Sequence, residues 1–204
     1  MKLYSTPGFC SLAIHIVLLE LGLDFTLVQV DMQKKETVTG DDFLQVNPKG
    51  QVPYLVTDDG VGLSEGPVIA QFLADKVEGN SLFPRSGTMA RYRVMEWQAY
   101  IASEIHKAYL PLFHPQVNTE SKAIFEGMLK AKYQWLDTVL ANNLFLTGSD
   151  FTLADAYLFA ITRWAGYVGL DLAGLNNIHA FMLRTATRPR VVEALIAEHQ
   201  GTNE

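Results

Sequence analysis

The order of strand and helix patterns divides this sequence into two unlike parts, and that division limits the possible folds most strongly. Up to residue 80 the patterns alternate in the order β-α-β-α-β-β-α. Residues 81–87, which include a proline and a glycine, have the composition of a linker. From residue 88 onward every pattern is helical. We therefore predict an α/β domain at residues 1–80 and an all-helical domain at residues 88–204.

The individual elements follow from periodicity and from turn residues. Strands are predicted at residues 2–5, 25–30, 52–57 and 61–63, and helices between them at residues 10–21, 41–46 and 64–77. Further helices are predicted at residues 88–109, 121–140, 152–168, 177–187 and 189–198. Thr152 and Asp155 have the spacing of a capping box, which favours a helix start at residue 152.

Composition excludes several classes of protein. With 49% hydrophobic residues, the 204-residue chain can bury two cores, and it is not a disordered chain. A net charge of −6 without a basic block argues against nucleic-acid binding, and no apolar stretch is long enough to span a membrane. The single cysteine, Cys10, rules out an internal disulfide and a paired-thiol metal site. These features predict a cytoplasmic protein without a metal cofactor.

Cys10 is the first candidate for chemistry. It follows the turn Pro7-Gly8 and precedes a helical pattern, where helix amides and the helix dipole stabilise a thiolate. A small buried side chain is an equally good interpretation from position alone, because free cysteines are usually buried. Ala13 stands where a second cysteine would complete a Cys-x-x-Cys motif, so a dithiol cycle within one chain is excluded.

Other candidates have simpler explanations when each is taken alone. Glu65 and Gly66 open a helix and suit an amino-acid head group, yet ordinary helix capping explains them as well. Pro53 begins a strand, and its trans form is favoured because few X-Pro peptide bonds are cis. His106 and Lys107 lie on a polar helix face and could act on a thiol, although a solvated face is the commoner outcome.

Together these segments resemble the soluble glutathione transferases, most closely the bacterial beta class. The segments are spread over about four fifths of the chain, in the family's order and spacing. They are MKLYSTPGFCSLAIHIVL, VNPKGQVPYL, LSEGPVIAQFLAD, SEIHKAYLPLF and FTLADAYLF. The resemblance implies a thioredoxin-like βαβαββα domain followed by the all-helical domain of this family.

The resemblance also assigns a glutathione site to the first domain. It implies that Pro53 is cis and that Val52 pairs with the cysteinyl backbone of glutathione. Glu65 and the Gly66 amide would hold the γ-glutamyl end. Lys35 would meet the glycyl carboxylate.

The resemblance assigns further roles to Cys10 and to the helical half. Cys10 would lie beside the glutathione sulfur and form a mixed disulfide with it, and His106 and Lys107 would lie near that sulfur. Trp164 would form a wall of the electrophile site. The protein would be a homodimer in which Glu104 reaches the ligand of the neighbouring subunit. The whole stretch that would contact glutathione consists of Ser103, Glu104, Ile105 and His106.

The implied activity is conjugation of glutathione to electrophilic small molecules, with Cys10-dependent thiol-disulfide or peroxidase chemistry beside it. One alternative is an oxidoreductase that uses glutathione and hardly conjugates. Another is a non-enzymatic carrier of apolar ligands, which the aromatic residues of the helical half would suit. The sequence does not name the electrophile.

Overall fold

The computed structural model describes residues 1–200, and for residues 199 and 200 only the helical backbone. The chain forms two compact units. The first unit consists of Met1–Asn80 and residues 187–200, and the second unit is Ser81–Ala186. The division into domains at residues 1–80 and 88–204 stays a prediction; residues 201–204 lie outside the described residues, and residues 187–200 group with the first unit.

The first unit is built on a five-stranded mixed sheet in the order β3-β2-β1-β4-β5. β1 pairs parallel with β2 and antiparallel with β4, so the earliest strand lies at the centre. The strands are β1 (Lys2–Ser5), β2 (Thr26–Asp31), β3 (Glu36–Thr37), β4 (Tyr54–Val56) and β5 (Gly62–Leu63), and the helices between them are α1 (Leu12–Glu20), α2 (Phe43–Val46) and α3 (Gly66–Asp75).

The second unit is helical, and its first helix contains a π-helical turn. α4 (Met89–Tyr100) continues through the π turn Ile101–His106 into α5 (Lys107–Phe113). It is followed by α6 (Thr119–Leu140), α7 (Leu153–Thr162), α8 (Trp164–Val168) and α9 (Asn176–Ala186). The predicted helix at residues 152–168 is thus two helices, which separate at Arg163. No helix in the described part of the chain has both the length and the apolar character needed to cross a membrane.

The last helix, α10 (Pro189–Gln200), returns to the first unit and packs against α1. α1 also packs against α3, and all its residues from Leu12 to Leu18 are buried. A helix that is covered on more than one side needs apolar residues all round, as this one has. One polar residue interrupts this core: His15, which is 5% exposed and meets the Phe25 ring edge to face at 5.4 Å between centroids.

Burial makes His15 a pH-sensitive element of the first unit. Burial lowers the pKa of His15 to about 4, against an opposing effect of the Glu193 charge, whereas the ordinary histidine pKa is 6.5. The folded state therefore binds fewer protons than the unfolded state between these pH values. The stability that this group contributes is present above the unfolded pKa and is lost as the pH falls towards the folded pKa.

We expect the free energy of unfolding of the wild type to fall between about pH 7.5 and about pH 5 by about 2 kcal/mol more than that of His15→Gln. Urea unfolding at the two pH values measures the difference. Exposed His179 provides the control variant, His179→Gln, which keeps the wild-type dependence. Equal pH dependence in the wild type and His15→Gln would contradict this assignment.

The predicted capping box at the start of α7 joins this helix to the loop before it. Asp155 is fully buried, and its Oδ2 accepts hydrogen bonds from the Thr152 amide at 2.8 Å and the Thr152 hydroxyl at 2.7 Å. Its Oδ1 accepts from the Leu146 amide at 2.8 Å. Burial raises the pKa of Asp155 to about 6, and these hydrogen bonds oppose that rise. The carboxylate thus ties the preceding loop to a helix whose ten residues are all buried.

Asp155→Ala should lower the free energy of unfolding by about 2–4 kcal/mol, because two buried amides lose their acceptor. Asp171→Ala is the matched control: its carboxylate accepts one amide, from Ala173, in an exposed turn. That change should cost less than about 1 kcal/mol. Urea unfolding measures both changes. Similar losses of unfolding free energy in the two variants would show that the buried cap stabilises the fold no more than an exposed turn does.

Candidate functional site

Cys10 lies in the loop between β1 and α1 of the first unit. Ser11 is the centre of this loop: its hydroxyl donates to the Thr6 carbonyl and accepts from the Thr6 amide, both at 3.2 Å. The Thr6 hydroxyl donates to the Val30 carbonyl at 2.8 Å, and the Gly8 amide donates to Glu198 of the last helix at 3.2 Å. The loop that contains Cys10 is therefore hydrogen-bonded to β2 through Thr6 and to the last helix through Gly8.

The Cys10 thiol lies against the backbone of Val52. Its Sγ donates to the Val52 carbonyl oxygen at 3.5 Å. The Val52–Pro53 peptide bond is cis, as the family resemblance implied. The residue that the resemblance pairs with the cysteinyl part of glutathione is thus also the hydrogen-bond partner of the protein's own thiol.

Burial keeps the Cys10 thiol protonated. It raises the pKa of Cys10 to about 12, and the Glu65 charge acts in the same direction. Hydrogen bonds from the backbone amides of Cys10 and Ser11 oppose the rise but are outweighed. The predicted stabilisation of the thiolate by backbone amides is thus present, but desolvation outweighs it. α1 begins only at Leu12, and desolvation costs more than the amides return.

Glu65 and Gly66 open α3 beside Pro53. Glu65 has a φ of 68°, which is unusual for a residue other than glycine, and Gly66 is the first residue of the helix. A Cβ placed on Gly66 would lie 3.8 Å from Cγ of Pro53, so the two segments touch. The Glu65 carboxylate is engaged by Lys49, whose Nζ lies 3.1 Å from Oε1 and 2.9 Å from the Ser64 hydroxyl.

Lys35 also lies near this segment. Its backbone has a φ of 59°, and its Nζ donates to the carbonyl of Gly50 at 2.9 Å, two residues before Val52. The structure thus gathers Cys10, Lys35, Val52, Pro53, Glu65 and Gly66 on one unit through short contacts. Sequence analysis missed Lys49, because a residue sixteen positions before Glu65 carries no signal of an ion pair with it.

In the second unit the π turn contains all four residues of the predicted contact stretch. Ile105 is buried, Ser103 is exposed, and Glu104 forms an ion pair with Lys132 at 2.6 Å. Lys107 is exposed and begins α5. π-helical turns are rare and occur frequently at functional sites, since the extra residue changes which side chains face one another.

His106 ends the π turn, and aromatic side chains surround it. Its Nδ1 lies 2.7 Å from the Tyr157 hydroxyl. Its ring packs edge to face on Trp164 at 4.9 Å between centroids, and Trp164 in turn meets Phe113 at 5.4 Å. Burial, and then the Lys107 charge, lower the pKa of His106 to about 4. The imidazole is therefore neutral at neutral pH and can donate or accept a hydrogen bond without carrying charge.

The described residues contain no cluster of three or more histidine, cysteine, aspartate or glutamate side chains suited to a metal ion. The first unit offers a part-buried thiol on a backbone carbonyl and a carboxylate beside a helix start, and the second unit offers a neutral imidazole among aromatic rings. These groups suit the chemistry of a sulfur nucleophile.

Comparisons with known proteins give the family. Residues 9–76 match the model of the glutathione S-transferase N-terminal domain, and residues 100–189 match that of the C-terminal domain. The chain is 50% identical over 198 residues to Glutathione S-transferase GstA of Escherichia coli O157:H7, covering 97% of this chain and 98% of that protein. The chain belongs to the glutathione S-transferase family.

Solved structures of glutathione transferases agree with this assignment. A ternary complex of BphK, a bacterial enzyme of this family, has a TM-score of 0.95 at 43% identity and covers 98% of this chain and 100% of its own. The beta-class glutathione transferase of Sphingomonas chungbukensis has a TM-score of 0.93 at 43% identity, with 97% and 98% covered. A sphingomonad glutathione transferase in complex with glutathione has a TM-score of 0.94 at 42% identity, with 98% and 99% covered. The predicted fold and the resemblance to the beta class are confirmed.

The protonated state of Cys10 can be tested by alkylation, since it is the only thiol in this glutathione transferase. At neutral pH iodoacetamide should label Cys10 at least about 100-fold more slowly than it labels free glutathione, because the thiolate is the reactive form. Glu65→Gln should accelerate labelling by removing a charge that raises the pKa of Cys10.

Glu36→Gln is the control for that variant, since Glu36 is exposed in β3 of the same unit. It should leave the labelling rate unchanged. Mass spectrometry over a time course measures all three rates. Labelling of the wild type as fast as free glutathione would contradict the assigned protonation.

Proposed function

We propose that this glutathione S-transferase binds glutathione on its first unit and conjugates it to electrophilic small molecules. One observation supports the proposal above the others: the Cys10 thiol donates to the carbonyl of Val52. The resemblance assigns that backbone segment to the cysteinyl part of glutathione, so a bound glutathione thiol would lie beside Cys10. The family assignment supports an enzyme rather than a non-enzymatic carrier of apolar ligands.

Binding is proposed to use charges at both ends of the tripeptide. Val52 pairs with the cysteinyl backbone, and Pro53 shapes that segment. Glu65 and the Gly66 amide take the γ-glutamyl end, and Lys35 takes the glycyl carboxylate. The ammonium of glutathione then replaces Lys49 at the Glu65 carboxylate, since both are cations that seek the same oxygen.

The helical residues are proposed to serve the thiol and the electrophile. Ser103, Ile105 and His106 belong to the contact stretch, and Trp164 forms a wall of the electrophile site. Glu104 reaches the ligand of the neighbouring subunit in a homodimer, which requires that its ion pair with Lys132 opens. We place the protein in the cytoplasm, because a chain with one cysteine suits a reducing compartment.

The proposed conjugation is a substitution at an electrophilic carbon. The glutathione thiol loses its proton to solvent, and the resulting thiolate forms the carbon–sulfur bond while the leaving group departs with its electron pair. His106 is neutral and stabilises the thiolate through an N–H donor, whereas Lys107 supplies positive potential. Holding thiolate and electrophile together provides the remaining acceleration.

The position of Cys10 supports a second activity, thiol-disulfide exchange. The Cys10 thiol first loses its proton to solvent, and the thiolate then attacks the glutathione sulfur of a mixed disulfide. A new disulfide forms between Cys10 and glutathione, and the other thiolate leaves and takes up a proton from solvent. A second glutathione thiolate then attacks that bond, which frees Cys10 and forms oxidised glutathione. Each step breaks one sulfur–sulfur bond and forms another, so no further oxidant or reductant is needed.

Cys10→Ala should separate the two activities. We expect turnover of a glutathione mixed disulfide to fall at least about 100-fold, because its covalent intermediate is lost. Turnover of an aryl halide should change less than about fivefold, since glutathione itself is the nucleophile there. Cys10→Ser keeps a side chain of similar size without the thiol, so it should lose the same activity if the thiol itself is what matters.

Mass spectrometry of the wild type under non-reducing conditions tests the intermediate, which adds one glutathione to Cys10 and disappears on reduction. Loss of both activities in Cys10→Ala, with glutathione binding intact by isothermal titration, would contradict the separate roles. Saturable binding of apolar ligands with no glutathione binding at all would favour the carrier instead.

A further inference from the structure

The hydrogen bond between Tyr157 and His106 joins two elements of the second unit that lie 51 residues apart in sequence. Tyr157 is buried in α7, and its hydroxyl reaches Nδ1 of His106 at the end of the π turn, at 2.7 Å. We infer that Tyr157 is a positioning residue, which holds His106 in the neutral tautomer with its proton on Nε2. The catalytic part of this inference rests on the proposed role of His106.

The direction of the hydrogen bond follows from the chemistry of its partners. A phenol hydroxyl is a stronger acid than the N–H of a neutral imidazole, and an unprotonated imidazole nitrogen is a stronger acceptor than a phenol oxygen. The Tyr157 hydroxyl therefore donates and Nδ1 of His106 accepts. Because a neutral imidazole carries one proton, that proton lies on Nε2.

The surrounding rings fix the orientation of the imidazole as well as its tautomer. Tyr157 meets His106 edge to face at 5.9 Å between centroids, and Trp164 meets it at 4.9 Å with an interplanar angle of 72°. Turning the imidazole over would replace Nδ1 by a carbon atom at the Tyr157 hydroxyl and lose the hydrogen bond. The direction of the Nε2–H bond is thus set by two aromatic neighbours.

This tautomer matters for a thiolate. An Nε2–H group donates a hydrogen bond to the negative sulfur and needs no proton transfer of its own. In the opposite tautomer Nε2 would present a lone pair, which repels the thiolate. Removing the Tyr157 hydroxyl allows that second tautomer to form, so the donor is lost for part of the time.

The test compares Tyr157→Phe with Tyr109→Phe, which also removes one buried hydroxyl from this unit. The Tyr109 hydroxyl donates to Tyr133 at 2.9 Å, and its ring packs on Trp164 at 5.8 Å. Both variants keep the ring. Nitrogen-15 NMR of the imidazoles reports the tautomer, with the His106 signals identified by their absence in His106→Gln.

We expect a wild-type His106 with its proton on Nε2, a mixture of tautomers in Tyr157→Phe, and the wild-type pattern in Tyr109→Phe. With an aryl halide, kcat should fall about fivefold in Tyr157→Phe, the effect of one hydrogen bond, while KM for glutathione is unchanged. Tyr109→Phe should keep the wild-type kcat.

A wild-type His106 that carries its proton on Nδ1, or an unchanged tautomer in Tyr157→Phe, would overturn the positioning role whatever the rates. A changed tautomer with an unchanged kcat would overturn its catalytic part. If His106→Gln also keeps the wild-type kcat, the proposed role of His106 fails, while the tautomer result still stands. Absence of glutathione binding to the wild type, measured by titration, would instead reject the proposed function.

Discussion

Desolvation controls the protonation of the two side chains that this molecule offers to sulfur chemistry. Burial raises the pKa of Cys10 to about 12 and lowers that of His106 to about 4, so both groups are uncharged at neutral pH. Each lies in a different unit, and each has a neutral hydrogen-bond partner, the Val52 carbonyl or the Tyr157 hydroxyl. Each of these two groups is therefore uncharged at neutral pH and can donate a hydrogen bond.

The lysines have a different role, because they carry a positive charge. Lys35 donates to the carbonyl of Gly50 and Lys49 to the carboxylate of Glu65, and the charge of Lys107 acts on the neighbouring His106. Fixed neutral donors stabilise a developing thiolate without reorganisation, whereas a mobile cation adapts to a charged ligand. A glutathione transferase needs both functions, because glutathione brings charged ends and a thiol that must ionise.

Much of the first unit could be predicted from the sequence. Local apolar alternation and turn residues mark β1, β2 and the last two strands, and the resemblance gave the cis bond before Pro53. β3 was missed, because Glu36 and Thr37 have no apolar pattern and are defined by their pairing with the neighbouring β2. The capping box of Thr152 and Asp155 could be predicted, since its partners are three residues apart.

The contacts that tune the site could not be predicted in the same way. The π turn that ends at His106 leaves no mark in the apolar periodicity, which favours an ordinary helix. The position of Cys10 before a helix suggested a reactive thiolate, but the desolvation that outweighs the backbone amides is a property of the folded chain. The hydrogen bond between Tyr157 and His106 likewise depends on how α7 packs against the π turn.

The most direct test is the thiolate absorbance of glutathione bound to Cys10→Ala, titrated with pH in the ultraviolet. This variant has no thiol of its own, so no protein thiolate contributes to the signal, and the titration of the variant without glutathione is subtracted. Our account predicts saturable binding and a pKa of the bound thiol at least about one unit below that of free glutathione. Bound glutathione with an unchanged pKa, or no binding, would contradict it.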